Sequence, residues 1–371
     1  MKFTTTTGEL QRALSKASSV VPTKTTTPIV ENILFELLNN TLTLKGTDNE
    51  IFQIVSITVK GTEDGRIAIP SKRLLETIRA LPDTEVSFTI DTTIRKIRLT
   101  TRNGEYSISG EDADEFPVEP RVSKADEVEF EGKLLKRIIN RTVFAVSTDE
   151  LRPAMMGVFF HSKGNELRAV STDGHRLVRY TYKMEEGGTV KRDIIVPAKA
   201  LNIVNRTLES EKVRVAIAES NIQFAFDTSI IISRLIDETY PNYESVIPTE
   251  NNKVLTVHRE NFMAAIRRVS LYASATTHHI KLSLRKDEVT VSAQDIDFGG
   301  EAKETLECEY AADDLDIGFN SVYLIDILSH LDSEKVVCKF SSPTRAGIIA
   351  PAGENVSEDV LMLVMPVRLS A

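Results

Sequence analysis

The chain has 371 residues, 41% of them hydrophobic and 27% charged, with a formal net charge of −9 at pH 7. That is more chain than one ordinary core supports, so two or three domains are expected. Two cysteines without a Cys-x-x-Cys pair argue against a disulfide framework or a zinc site, no run approaches 18 apolar residues, and Met1-Lys2-Phe3 followed by four threonines lacks the apolar core of a signal peptide. The expectation is a cytoplasmic protein with no metal, no cofactor and no membrane partner.

In chain order, Leu10, Ala13, Leu14 and Ala17 fall at helical spacing over 8–20. The strand Leu42-Thr43-Leu44 follows and runs into Gly46-Thr47-Asp48. Ile69-Pro70-Ser71 leads into a second helix over 72–80. Ser71 is its predicted N-cap, because a serine oxygen can accept the unpaired N–H groups of the first turn. Val86, Phe88 and Ile90, then Ile97 and Leu99, alternate with period two. Asn103-Gly104 ahead of Tyr106 predicts a type I′ hairpin turn. Phe116-Pro117 ends the segment, since proline cannot continue a ladder.

The same series then recurs. Leu134, Leu135, Ile138, Ile139 and Thr142 predict a helix over 133–145. The strand at Leu167 and Ala169 runs into Thr172-Asp173-Gly174, where Asp-Gly signals a turn because glycine accepts positive φ. Val196-Pro197 precedes a helix over 198–208, strands follow at 213–217 and 222–226, and Tyr240-Pro241 closes the copy. In the last third, Phe262, Ala265, Ile266 and Val269 predict a helix over 260–272. Val289-Thr290-Val291 leads to Gln294-Asp295, Asn320 caps a helix over 322–331, and Met365-Pro366 closes.

Leu10 to Leu135 is 125 positions and Leu135 to Phe262 is 127; Pro70 to Pro197 is 127 and Pro197 to Asn320 is 123. The chain therefore reads as three copies of an α+β unit of about 124 residues, each with two helices and about eight strands. The predicted domains are 1–121, 122–248 and 249–371, joined at 117–121 and 241–248.

Across the six predicted helices, thirteen Lys and Arg stand against four acids, which leaves −18 on the rest of the chain. A helix with one apolar stripe buries it on a sheet and shows its other face, so basic helices sit on an acidic body. Two rival readings compete with this. An enzyme could use Ser171, Asp173 and His175, but no Walker A, Gly-x-Ser-x-Gly, Gly-x-Gly-x-x-Gly or His-Glu-x-x-His motif accompanies them. They read as a turn that positions Arg176 and Leu177. His278-His279, adjacent on a predicted strand, would face opposite sides and chelate poorly. A structural repeat protein with no DNA role should carry mixed charge on its helices, yet 133–145 has four cations and no acid.

The sequence resembles the bacterial sliding clamp family, the beta subunit of DNA polymerase III. The resemblance rests on Met1-Lys2-Phe3, Gly46-Thr47-Asp48, Arg168-Ala-Val-Ser-Thr-Asp-Gly-His-Arg-Leu177 and Ile195-Val196-Pro197. It continues at Tyr240-Pro241-Asn242-Tyr243, Ile317-Gly318-Phe319-Asn320 and Val364-Met365-Pro366-Val367-Arg368-Leu369, and runs end to end at nearly constant spacing. It implies three repeated domains of the DNA-clamp fold in a head-to-tail dimer, a six-domain ring with helices lining the hole and sheets outside. It implies a processivity factor, a non-catalytic accessory subunit of DNA-directed DNA polymerase III. Its implied partners are sequence-independent double-stranded DNA, the polymerase III alpha subunit, an ATP-driven clamp loader, and other polymerases and repair proteins that dock short linear peptides.

Three sets of residues follow, the DNA-facing cations from charge and resemblance together, the ring joint and the groove as what the resemblance implies. The DNA-facing cations are Arg12, Lys16, Lys72, Arg73, Lys136, Arg137, Arg141, Lys199, Arg206 and Arg267 on helices, with Lys24 and Arg152 in loops. The ring joint sets Tyr106 and Ile108 against Leu271 and Tyr272. The partner-peptide groove takes Met155, then Thr172, Gly174, His175, Arg176 and Leu177, then Pro241 and Val246, then Asn320 and Tyr323, and finally Val364, Met365, Pro366, Val367 and Arg368. Peptides with a Gln and a Leu/Phe pair would dock there; two apolar side chains at roughly 2–3 kcal/mol each, less association costs, give affinities on the order of micromolar. Three features depart from the family pattern: Thr277-His278-His279 where an aromatic is usual, Thr344 and Ala346, and Ser370-Ala371 beyond the usual last leucine.

Overall fold

The computed structural model describes residues 1–123, 125–184, 192–295, 298–353 and 357–369. The first repeat runs β1 (Lys2–Thr6), α1 (Thr7–Ala17), β2 (Asn32–Leu38), β3 (Thr41–Thr47), β4 (Ile51–Thr58), β5 (Lys60–Glu63), β6 (Gly65–Pro70), α2 (Ser71–Ala80), β7 (Glu85–Asp91), β8 (Lys96–Thr100) and β9 (Glu105–Ser109). The second runs β10 (Asp126–Glu131), α3 (Gly132–Thr142), β11 (Gly157–Lys163), β12 (Glu166–Thr172), β13 (Arg176–Lys183), β14 (Ile194–Pro197), α4 (Ala198–Thr207), β15 (Lys212–Ile217), β16 (Asn221–Phe226) and β17 (Ser229–Arg234). The third runs β18 (Lys253–His258), α5 (Arg259–Ser270), β19 (His279–Arg285), β20 (Glu288–Asp295), β21 (Gly300–Glu307), β22 (Glu309–Tyr310), β23 (Leu315–Asn320), α6 (Ser321–Ser329), β24 (Lys335–Phe340), β25 (Gly347–Pro351) and β26 (Glu358–Val364).

These strands divide into two compact units that do not follow the repeats. Unit 1 is Met1–Lys136 with Lys199–Leu235, and unit 2 is Arg137–Ala198 with Ile236–Ala371. The middle repeat gives part of its strands to each. Unit 1 holds a five-stranded sheet, β5-β1-β7-β8-β9, and an eight-stranded sheet, β10-β15-β16-β17-β4-β3-β2-β6. The latter joins two repeats where β4 pairs antiparallel with β17, Ile51 facing Ser233. The period-two pattern explains the core. Val86, Phe88 and Ile90 of β7 all turn inward, and Phe88 stacks on Phe3 at 4.6 Å. The apolar stripes of α1 and α2 close over the same cluster.

Unit 2 holds a nine-stranded sheet, β14-β11-β12-β13-β26-β25-β24-β18-β22, and a four-stranded sheet, β21-β20-β19-β23. Its junction between repeats is β13 against β26, from Arg176 facing Val364 to Tyr182 facing Glu358. The buried faces of α5 and α6 carry Phe262, Ala265, Ile266 and Val269, then Leu324, Ile327 and Leu328.

Four local expectations are corrected. Ser71 is the buried first residue of α2, whose N-cap is Pro70 with no side-chain cap bond. Asn320 caps α6 as expected, accepting from Val322 N–H at 2.9 Å. Neither Asn103 nor Gly104 has positive φ, so their turn is not type I′. It is a four-residue loop closed by Thr101 N–H to Gly104 O at 2.9 Å and by Gly104 N–H to the Thr101 hydroxyl at 3.1 Å. The helix predicted over 133–145 stops at Thr142, whose hydroxyl donates back to Ile138 O at 2.7 Å before a 3-10 turn. His278 lies outside the strand at φ +54°, so the two histidines do not share one.

Candidate functional site

The Thr172–Arg176 turn is built by its own side chains. The Thr172 hydroxyl donates to Arg176 O at 2.7 Å and accepts from Gly174 N–H at 3.1 Å. Asp173 Oδ1 accepts from His175 N–H and Arg176 N–H at 2.9 and 3.0 Å. Gly174 sits at φ +89°, where a side chain is strained. Unit 1 contains the same network. Thr47 donates to Ile51 O at 2.8 Å and accepts from Asn49 N–H, while Asp48 Oδ1 accepts from Glu50 and Ile51 N–H. In the third repeat Asp295 Oδ1 accepts from Phe298 N–H at 3.2 Å.

What distinguishes the middle turn is Arg176. Its Nε donates to Asp173 Oδ2 at 3.1 Å, one Nη to Asp326 Oδ2 at 2.6 Å and the other to Phe144 O at 2.9 Å. The guanidinium also lies over the rings of Phe144 and Tyr323, 5.2 and 4.9 Å from their centroids. Arginine suits this place because its planar fork makes several directed bonds and stacks on aromatics at once. Tyr323 in turn stacks on His175 at 5.7 Å. Burial raises the Tyr323 pKa, assisted by Asp173 and opposed by Arg176.

Beside this wall lies an apolar cluster of Val170, Leu177, Ile195, Tyr240, Tyr243, Ala346 and Leu363, with Ala154, Phe159, Ile236 and Ile247 against it. Phe159 stacks on Tyr240 at 4.7 Å. The C-terminal tail crosses the same neighbourhood. Met365 N–H donates to His175 O at 2.9 Å, and Val367 N–H donates to Gly318 O at 2.9 Å.

The predicted groove residues therefore gather within unit 2, at two depths. Met155, Thr172, Arg176, Leu177 and Val364 are buried. Gly174, His175, Pro241, Val246, Met365 and Arg368 are exposed, and Asn320, Tyr323, Pro366 and Val367 are half-buried. Ser370 and Ala371 lie outside the described residues. The sequence reading missed Phe144 and Asp326 as partners of Arg176, and His330 stacked on Phe144. They carry no motif, and only the alignment of α6 with the end of α3 brings them to Arg176. The acid–base alternative finds no support: Ser171 is buried and donates to Thr142 O at 2.6 Å, Asp173 is spent on the turn and Arg176, and His175 stacks on Tyr323.

The predicted DNA-facing cations separate sharply. In unit 1, Arg12, Lys24, Lys72, Arg73 and Arg206 are exposed and, among the described residues, carry no ion pair. Lys136 is half-buried; Lys16 pairs with Glu209 at 3.1 Å, and Lys199 pairs with Asp48. In unit 2, Arg267 is exposed, Arg137 pairs with Glu358 at 3.1 Å and Arg152 with Asp149 at 2.8 Å. Arg141 corrects the expectation most. Its side chain is only 12% exposed and pairs with Asp332 at 2.5 Å, so little of it remains for a phosphate. Burial pulls its pKa down against the opposing pull of Asp332.

Among the joint residues, Leu271 is 81% exposed at the end of α5, with Tyr272 and Tyr106 also open to solvent. Ile108 is corrected: its side chain is buried in the core of unit 1, and only its strand, β9, lies at a sheet edge. Among the described residues no cluster of His, Cys, Asp and Glu has the makings of a metal site, and no helix is long and apolar enough to cross a membrane.

Comparison with known proteins agrees along the whole length. Family models of the DNA polymerase III beta subunit match in order: the N-terminal domain over residues 1–120, the central domain over 129–242 and the C-terminal domain over 244–368. The chain is 30% identical to the beta sliding clamp of Staphylococcus epidermidis over 379 residues, covering 99% of each, and 29% identical to that of Caulobacter vibrioides over 376 residues, covering all of both. Among solved structures, the sliding clamp of Bartonella birtlesii bound to griselimycin superposes with a TM-score of 0.94 at 29% identity. That of Bacillus subtilis superposes with a TM-score of 0.94 at 26%, and both comparisons cover each chain in full.

Proposed function

The chain belongs to the DNA polymerase III beta subunit family, the non-catalytic sliding clamp of that polymerase, and we propose that two copies close head to tail into a ring that encircles duplex DNA. The domains are 1–121, 122–248 and 249–371. The ring tethers the polymerase III alpha subunit to its template in the cytoplasm, an ATP-driven loader opens it, and other polymerases and repair proteins dock through short peptides. Nucleotide chemistry belongs to these partners.

The observation that carries the ring is a repeated junction with one instance left over. Within the chain, the strand after a Thr-Asp turn twice pairs with the last strand of the next repeat: β4 with β17, and β13 with β26. The corresponding strand of the third repeat, β21, follows Gln294-Asp295 and ends its four-stranded sheet, and the last strand of the first repeat, β9, ends its five-stranded sheet. An open edge is a template for pairing. Joining β21 of one copy to β9 of the next repeats the internal junction, and two copies satisfy every edge of this kind. Tyr106, Leu271 and Tyr272, exposed beside those edges, supply the apolar seal.

Arg12, Lys24, Lys72, Arg73, Arg206 and Arg267 are the cations best placed for phosphate, because nothing described neutralises them. Phosphate contacts carry no sequence information, which permits sliding. His175, Tyr323, Pro241, Val246 and the tail from Met365 form the peptide groove.

The test is retention on DNA. Labelled protein is loaded onto nicked circular plasmid with a cognate loader and ATP, the plasmid is cut once, and co-elution is followed on a sizing column. Release on cutting is expected of a threaded ring. Persistence after cutting would mean direct grip by the basic helices and would overturn encirclement; no retention on the circle, with a loader shown active on another clamp, would overturn the function.

A further inference from the structure

Five side chains of unit 2 stack in series. His330 lies on Phe144 with centroids 3.8 Å apart and planes 6° from parallel. Phe144 lies under the Arg176 guanidinium, the guanidinium lies over Tyr323, and Tyr323 stacks on His175. The far end is anchored. His330 is the C-cap of α6, and its Nδ1 sits 2.7 Å from Asp326 O. A carbonyl only accepts, so Nδ1 carries the proton and the ring is fixed in orientation. The same residue, Asp326, binds Arg176 through its carboxylate.

The turn does not need this stack in order to fold. Its counterpart in unit 1 has the complete hydrogen-bond network with Ile51 in the place of Arg176. With 123 positions between Pro197 and Asn320, Ala200 stands where Tyr323 does and Ile203 where Asp326 does. Taking a guanidinium out of water is costly, and the unit 1 turn avoids that cost. The middle turn bears it, and the exposed end of its stack is the wall of the proposed groove.

We infer that His330 and Phe144 are positioning residues for partner-peptide recognition: through Arg176 they hold Tyr323 and His175 as one rigid wall against which the peptide packs. The inference rests on the groove reading above and deepens it. A wall already held in place loses no rotamer freedom when the peptide arrives, which is where affinity is gained.

The experiment uses the full chain and a fluorescein-labelled pentapeptide that begins with Gln and ends in Leu-Phe, with binding read by anisotropy. His330→Ala and Phe144→Leu are each expected to weaken binding about tenfold, or about 1.4 kcal/mol. His330→Phe, which keeps a stacking ring, should stay within twofold of the parent. In a Tyr323→Ala background His330→Ala should cost less than twofold, because the group it positions is gone. Melting temperature and ring mass are measured on every variant. A His330→Ala protein that binds within twofold of the parent, or one whose loss is undiminished in the Tyr323→Ala background, overturns the inference. A parent chain that fails to bind the peptide, or binds it equally after removal of 365–371, overturns the groove reading itself.

Discussion

Replacing Gly318 with alanine should detach the C-terminal tail while leaving the fold intact. Gly318 lies in β23, paired with Lys281 of β19, and Val367 bridges to it from the tail. A Cβ at Gly318 would stand 2.7 Å from Leu369 Cδ2, 2.9 Å from Val367 O and 3.0 Å from Val367 Cγ2. The leucine end can swing aside, but Val367 O is backbone and cannot move without the tail. Forcing a methyl into such a space costs about 1–3 kcal/mol. The Val367 N–H to Gly318 O bond that holds the tail contributes about 0.5–1.5 kcal/mol. The clash therefore matches or exceeds the hold, and the tail, joined to β23 by an isolated bridge, yields before the β19–β23 ladder. Peptide affinity should fall between about fivefold and about 150-fold for about 1–3 kcal/mol of lost wall. Carboxypeptidase should trim the tail faster, and the melting temperature should change little. An unchanged peptide Kd with unchanged trimming would refute the reasoning. So would a large drop in melting temperature with the tail still protected, because the strain would then have gone into the sheet.

Tyr106→Asp or Leu271→Asp should yield monomers, seen as a halved mass by light scattering; an unchanged mass would place the joint elsewhere. Arg12→Glu combined with Arg206→Glu should reduce the salt dependence of DNA binding by about two in the log–log slope, and an unaltered slope would remove both from the DNA face. Arg141→Glu should act differently, lowering the urea midpoint by setting a second acid against Asp332, and an unchanged midpoint would contradict that pairing. Lys45 is nearly buried between Glu36 and Glu119 at 2.7 and 2.8 Å. Burial opposes its charge, but the hydrogen bonds it donates to both carboxylates outweigh that and raise its pKa; burial of Glu119 is likewise outweighed, by Lys45 first, so that carboxyl titrates low. Their contribution to stability is therefore present at neutral pH. It is lost as pH rises through the raised lysine value and as it falls through the lowered glutamate value. Lys45→Met should flatten both arms of the urea-midpoint profile, and a curve parallel to the parent's would show the network to be inert. Neither cysteine should react readily with a thiol reagent at pH 7. Burial, with Asp287, Glu288 and Glu309 nearby, pushes Cys308 up to about 11, and burial alone pushes Cys338 up to about 12. Rapid labelling of the folded protein would contradict both environments.

The three repeats, the six helices, the Thr-Asp turns and the basic character of α3 were all legible in the chain alone. Each is a local signal: apolar spacing at three and four marks a helix, alternation marks a strand, and Asp-Gly marks positive φ. Local signals also misled where two solutions compete, as at Asn103-Gly104, where a threonine hydroxyl closes a longer loop in place of a type I′ turn. The family resemblance named residues for the proposed groove but not their depth, because a motif names residues without saying which are buried.

Pairing across long separations is visible only in the folded chain. Arg141 and Asp332 are 191 positions apart, and nothing in either segment announces that one neutralises the other. Thirteen helix cations could be counted from the sequence, but the fold decides which keep their charge exposed. The same holds for the sheets, where β4 meets β17 and β13 meets β26 so that the compact units cut through the middle repeat. Phe144 and His330 meet Arg176 on the same terms. The sequence by itself sets what each segment becomes, because backbone and side-chain preferences act over a few residues. Which segments touch is set by the burial of many apolar faces at once, and that only the assembled chain can satisfy.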